Sequence, residues 1–147
     1  MKILLKLAVA TLMLAGVVQA APKWITVSKA DCIDNGGDMM INGVCRANWQ
    51  NAGGICSAIG ATLPTIVQLK GMITDCGGIV DKSESNENNS AYQSCYKERK
   101  FSASDVYWSS STSDGITSYA WVVSFNGGNG YVYDKYSRYY VRCVQGG

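Results

Sequence analysis

Six cysteines and not one histidine constrain this chain more than any other feature of its sequence. Cys32, Cys45, Cys56, Cys76, Cys95 and Cys143 all follow a leading segment that reads as a removable export signal. In residues 1–20, Lys2 and Lys6 supply a positive start and Leu4 to Val18 is almost wholly apolar. Val18-Gln19-Ala20 then offers the small residues that a signal peptidase accepts, so cleavage is expected before Ala21. An even number of cysteines in an exported chain reads as three disulfides. A zinc site is a poor fit, because histidine and any Cys-x-x-Cys pair are missing and the destination is oxidising.

Removing the leader leaves 147 − 20 = 127 residues, one domain's worth, here residues 21–147. At 47% hydrophobic and 16% charged, that length predicts one modest core with no room for a second. The two leader lysines depart with it, so 13 − 2 = 11 Lys and Arg face 11 Asp and Glu, and the net charge becomes zero. Nucleic acid thereby loses its main electrostatic attraction as a partner. The leader is too short for a membrane span, and nothing later reaches the roughly 20 apolar residues that one needs. With no cysteine directly after the cleavage point, a lipid anchor is also unsupported. The expectation is an exported protein without a membrane span in its mature part, placed in the periplasm, on the cell surface or outside the cell.

Along the chain, Lys23 to Arg46 reads as short strands joined by turn chemistry at Asn35-Gly36-Gly37-Asp38 and Ile41-Asn42-Gly43, an N-terminal hairpin over 23–46 ahead of a core over 47–147. Cys32 and Cys45 flank its turns at a spacing that a hairpin closes side to side. From Ala47 the period turns helical: Trp49, Ala52, Cys56 and Ile59 make one apolar stripe that stops near Gly60. A second helix starts at Leu63-Pro64-Thr65, where Thr65 and Gln68 form a capping box and Leu69, Met72 and Ile73 the buried face, before Cys76-Gly77-Gly78 ends it. Asp81 to Ser94 is so polar that it predicts a surface loop, stapled by Cys76 and Cys95. After Phe101 come strands: Val106–Ser110, Tyr119–Phe125 with Tyr119, Trp121, Val123 and Phe125 on one face, Gly130–Asp134 and Tyr139–Val144. Cys56 is then left for Cys143. This is one of the fifteen connectivities that six cysteines allow, and spacing alone does not select it.

Several of these segments together carry a resemblance. Trp49-x-x-Ala52 with Cys56, Leu63-Pro64-Thr65-x-x-x-Leu69, Tyr107-Trp108-Ser109-Ser110-Ser111, Ala120-Trp121-x-Val123-x-Phe125-x-x-Gly128 and Tyr140-Val141-Arg142-Cys143-Val144 resemble, in this order, a bacterial domain with a C-type-lectin-like fold, of the kind that ends collagen-like surface adhesins. The resemblance covers roughly Trp49–Val144. It implies an α+β fold with two helices, a small twisted antiparallel sheet and a long loop region, tied by a disulfide from first helix to last strand.

The C-terminus also resembles the variable proteins of the same fold that retroelements diversify. In those, a segment rich in residues encoded by adenine-mutated codons lies between a Trp-containing strand and a final Val-Arg-Cys strand. The similar stretch here is Gly130 to Cys143, with five of the nine tyrosines within Tyr131–Tyr140. Tyrosine and serine suit binding surfaces, since a phenol brings contact area and a hydrogen bond at little entropic cost. Asn129, Tyr131, Tyr133, Asp134, Tyr136, Ser137, Arg138 and Tyr139 are therefore the candidate ligand-binding residues. Tyr131, Tyr133 and Tyr136 fit half-buried sheet positions equally well. Trp108, Trp121 and Tyr140 belong to packing, and Lys135 and Arg138 read first as solvated charges.

Calcium-dependent sugar binding in C-type lectins uses a Glu-Pro-Asn or Gln-Pro-Asp loop and a Trp-Asn-Asp strand as oxygen ligands. The prolines here are Pro22 and Pro64, and Ser109 follows Trp108, so that site is not inherited. Formylglycine-generating enzymes share the fold, but their chemistry needs reactive cysteines, and six paired cysteines without histidine supply neither nucleophile nor base. The expectation is a non-enzyme without cofactor or metal: a secreted or surface-displayed, adhesin-like binding module that presents Asn129–Tyr139 to a protein or glycan on a cell surface or in the envelope. The alternatives are a structural or accessory subunit of a cell-envelope assembly and a retroelement-diversified receptor-binding protein.

Overall fold

The computed structural model describes residues 21–146, so the expected export signal lies outside the described residues. The elements follow as β1 (Lys23–Ile25), α1 (Lys29–Asp34), β2 (Asp38–Met39), β3 (Cys45–Ala47), α2 (Trp49–Ala58), α3 (Ile66–Asp75), α4 (Ser83–Glu87), α5 (Ser90–Glu98), β4 (Tyr107–Ser113), β5 (Ile116–Ser124), β6 (Asn129–Asp134), β7 (Tyr139–Tyr140) and β8 (Cys143–Gln145). Both helices that the periodicity predicts are present. Asn48 caps α2 by accepting from the Asn51 amide at 2.8 Å, and Ala52, Ile55 and Cys56 are its buried stripe. Gly60, at φ +71°, lets the chain fold back so that the Ala61 amide donates to the Cys56 carbonyl. On α3 the capping box closes in both directions, Gln68 N to Thr65 Oγ1 at 3.1 Å and Thr65 N to Gln68 Oε1 at 2.9 Å.

The polar stretch over Asp81 to Ser94 is not a plain surface loop. It holds α4 and the start of α5, and its side chains build core: Asn86 and Tyr92 are buried, as is Tyr96 farther along α5. Tyr92 and Tyr96 stand one turn apart on α5 and point inward, while Asn89 caps the helix by accepting from the Tyr92 amide at 3.0 Å. Asn86 substitutes for backbone, accepting from Ile79 N at 2.8 Å and donating to Ile79 O and Gly127 O at 2.7 and 2.8 Å. Polarity concealed burial here, because the buried polar atoms are all paired.

Residues 23–46 also differ from a single hairpin. Only β2 and β3 pair as one, whereas β1 runs antiparallel to β8 and Ser28 starts the short helix α1 by accepting from the Asp31 amide at 3.1 Å. The predicted last strand is two strands in two sheets. β7 joins β3 and β4, then the chain crosses at Val141 and Arg142, and β8 pairs with β1.

The larger sheet runs β2-β3-β7-β4-β5-β6, antiparallel except for β4 against β7. Its central strands are covered on both faces, so two apolar clusters form where composition predicted one core. Trp108, Ala120 and Val122 pack with Ala52, Ile55 and Val141 on one face; Tyr107, Val123 and Phe125 pack with Leu69, Ile73, Tyr92 and Tyr96 on the other. The predicted apolar face of β5 is present, with Val123 and Phe125 in the second cluster, but the opposite face, Ala120 and Val122, is buried as well. Trp121 is half-buried beneath Lys70, whose Nζ lies 5.3 Å from the ring centroid. Three disulfides, Cys32–Cys45, Cys56–Cys143 and Cys76–Cys95, bind α1 to β3, α2 to β8 and the end of α3 to α5, the pairing that spacing and elimination suggested.

Candidate functional site

β6 is one of the two edge strands of the sheet, and every residue of it from Asn129 to Asp134 pairs with β5. Tyr133 lies opposite Ala120 and Tyr131 opposite Val122, so both phenols project from the face that carries Trp108. Aromatic contact then continues outward from the core. Trp108, whose indole donates to the Ala47 carbonyl at 2.8 Å, meets Tyr139 edge-on at a centroid distance of 5.1 Å. Tyr139 meets Tyr133 at 5.2 Å, and Tyr133 stacks on Tyr131 at 5.9 Å with 7° between the planes. Burial decreases along this row until Tyr131 is 40% exposed. Tyr133 is raised above the ordinary tyrosine value, first by burial and then by the neighbouring Tyr139 and Tyr131 phenols and Asp105. Its hydroxyl therefore keeps its proton to higher pH than a free phenol does.

The turn from β6 to β7 is fixed by the chain itself. Asp134 Oδ1 accepts from the Tyr136 amide at 2.7 Å and its carbonyl accepts from the Ser137 amide, so Asp134 builds the turn that lifts Tyr136 clear of the surface. Tyr136 is 85% exposed. Arg138 is not a free charge: it pairs with Asp38 at 2.5 Å and donates to the Gly36 carbonyl, while Arg46 holds the same carboxylate at 3.0 Å. These exposed pairs orient the turn more than they stabilise it. At the other end of β6, Asn129 donates to Ser83 Oγ and to the Tyr131 hydroxyl, and Gly130 N donates to Asp81.

Sequence reasoning overlooked one wall of this surface. Lys135, read as a solvated charge, lies with Nζ 3.9 Å from the centroid of the Trp49 ring and 3.0 Å from Thr112 Oγ1; its carbonyl accepts from the Trp49 amide at 3.1 Å. Trp49, read only as part of a helical stripe, is half-buried and donates its indole N–H to the Ser109 carbonyl at 2.9 Å. Together with Asn48, Gln50 and Tyr136 they line an open groove of about 280 Å³. A second groove, along Gln50, Gly53, Ser57 and Leu63, continues from the other side of Trp49. The signal available in the sequence was the position of Lys135 within the tyrosine-rich segment.

Of the eight predicted site residues, then, Tyr131, Tyr133 and Tyr139 form one aromatic row and Tyr136 stands out beside the Trp49 groove. Asn129, Asp134 and Arg138 hold the strand and turn in place, and Ser137 lies within that turn. Tyr140 is buried, its hydroxyl bonded to Ser104 at 2.7 Å and to Asn42 at 3.0 Å. Among the described residues no three Cys, Asp or Glu side chains gather as metal ligands, and no helix is long and apolar enough to cross a membrane. The surface can stack on a flat apolar face and surround it with hydroxyls, an ammonium and amide groups.

A search of curated proteins finds no match to this sequence. The family model of the Lcl C-terminal domain matches residues 24–145, from the first strand to the last. The chain belongs to this bacterial family of C-type-lectin-like domains.

Proposed function

We propose that this member of the Lcl C-terminal domain family is an exported, adhesin-like binding module that takes a protein or glycan ligand on the Asn129–Tyr139 face, without calcium and without catalysis. The observation that carries this reading is the stacked pair Tyr131 and Tyr133, with Tyr136 85% exposed beside the Trp49–Lys135 groove, on a strand fixed along its whole length. Rigid phenols lose little entropy on binding and give large contact area, which is why such residues dominate binding hot spots. The lectin-like family supports a binding role in general terms. Three disulfides fit an exported protein. All described cysteines are paired, which leaves no thiol for covalent chemistry.

Purified protein tested against surface polysaccharides, matrix proteins and envelope fractions should bind at least one of them, and Tyr131→Ala and Tyr136→Ala should weaken that binding at least tenfold without loss of folding. A folded protein that binds none of them, or variants that bind unchanged, would defeat the reading. The same exposed phenols would serve a fixed interface inside an envelope assembly, in which case a stoichiometric partner co-purifies from native envelope. They would serve equally in a retroelement-diversified receptor, in which case population sequencing finds substitutions concentrated at codons 129–140 that trace to adenines in a nearby imperfect copy.

A further inference from the structure

Arg142 is a buried cation without an acid to meet it. It is 6% exposed, its Nε has no hydrogen-bond partner, and among the described residues neither it nor Arg99 forms an ion pair. Two contacts compensate in part: Nη1 donates to the Arg99 carbonyl at 2.9 Å, and the guanidinium lies 4.4 Å from the Phe101 ring centroid. Neither neutralises the charge, and burial pulls the Arg142 guanidinium below its ordinary value. A cation taken out of water without a counter-charge is costly, and stable proteins pair it. A small void of about 30 Å³ beside Val27, Val44 and Tyr107 has room for water.

Arg142 also forms part of the wall of an open cavity of about 500 Å³, with Arg99, Gln68, Trp24, Met72 and Gly71. This volume is in the range that holds a small organic ligand. Arg99 directs Nη1 only at the Met72 sulfur, a weak acceptor at 3.2 Å, so its other donors are unused by protein. Asp75 lies at the same rim, and two guanidinium groups against one carboxylate leave the cavity positive. Trp24 and Met72, with Ala21 and Pro22, make the remaining wall apolar. The cavity shares no residue with the Trp49 and Tyr136 groove.

We propose that this cavity is a second binding site, which takes a carboxylate carried on an apolar body, the carboxylate toward Arg142 and Arg99 and the body against Trp24 and Met72. Guanidinium forks match carboxylate geometry, and the apolar wall selects an organic acid over a hydrated inorganic anion. Benzoate is the probe. Titrated into the purified, processed protein at constant ionic strength, it should raise the melting temperature saturably, and sulfate should do so much less. Gly71→Leu provides the variant that keeps the fold, because a Cβ at Gly71 meets nothing within 4 Å and leucine favours the helix more than glycine does. It should lower benzoate affinity at least tenfold, as should Arg99→Gln, which alters an exposed residue. Absence of any benzoate effect, or an effect that survives in Gly71→Leu, would overturn the site. An equal response to sulfate would overturn its assignment to an organic carboxylate.

Discussion

Removing the Cys56–Cys143 bridge as the double variant Cys56→Ala/Cys143→Ala should cost this protein more than removing either of the others. The bridge spans 87 residues of chain, against 13 for Cys32–Cys45 and 19 for Cys76–Cys95. If a bridge stabilises by restricting the unfolded chain, those spans give losses of about 4.6, 2.9 and 3.2 kcal/mol respectively. Cys56 and Cys143 are both fully buried, so the lost sulfur contacts add to the first figure rather than offset it. A domain of this size loses its midpoint by about 3 °C per kcal/mol, so the long-bridge variant should melt roughly 15 °C lower and the two others roughly 10 °C lower. Double alanine variants keep the comparison free of stray thiols. Calorimetric or circular-dichroism melts of the three, with urea midpoints as a second measure, decide the matter. Equal losses, or a Cys56–Cys143 variant that loses least, would refute chain restriction as the source of the stabilisation.

Other consequences are open to simple assays. Burial pushes Tyr107 up to about 12 and raises Tyr92 further, burial first and then the Tyr96 phenol. A raised tyrosine favours the folded state fully below the unfolded value of 10.0 and loses that contribution as pH climbs toward 12, so melts should be flat up to about pH 10 and fall steeply beyond it, with phenolate absorbance of the buried rings appearing together with unfolding. Tyr136→Ala should leave stability within about 0.5 kcal/mol, whereas Tyr133→Ala, between Tyr131 and Tyr139, should lose about 1–3 kcal/mol by urea titration. Asn86→Ala removes three hydrogen bonds at a buried position and should destabilise by about 2–4 kcal/mol. Chelation with EDTA should change neither the melting temperature nor ligand binding, and a loss of binding on chelation would overturn the calcium-independent reading.

What the sequence disclosed was decided by local, periodic signals. The stripes of α2 and α3 and the Thr65–Gln68 box were legible because each is complete within a few residues. The bridge partners followed because two pairs are close in sequence and the third was left over. Asp81 to Ser94 misled because hydropathy scores Asn86 as solvent-facing, while its burial depends on Ile79 and on Gly127, forty-one residues away. Gly128 shows the same long-range fit: at φ +66°, any Cβ there would come within 2.3 Å of the Asn86 amide. The tyrosine row was visible as composition, but the difference between Tyr136, which faces solvent, and Asp134, which makes its turn, depends on backbone geometry. Trp49 over Lys135 joins the start of a helix to the end of an edge strand, and no spacing rule connects residues so far apart.

The pairing of β1 with β8 determines how the domain meets a pulling force. Lys23 lies opposite Gln145 and Ile25 opposite Cys143, so tension applied through the two chain ends peels this ribbon open from its outer end, one residue pair at a time. Peeling of this kind yields at low load. It stops at Cys143, because the Cys56 bridge converts everything between into a closed covalent loop, and the Cys32–Cys45 loop is closed in the same way. Stretching can therefore lengthen only the ends of the described chain and the short connection from Cys45 to Cys56. Tyr131 and Tyr133 lie inside the closed loop, out of the line of force, whereas Ala47, which pairs with Tyr139, and Trp49 lie on the connection that lengthens, so tension reaches the Trp49 groove before it reaches the β6 phenols.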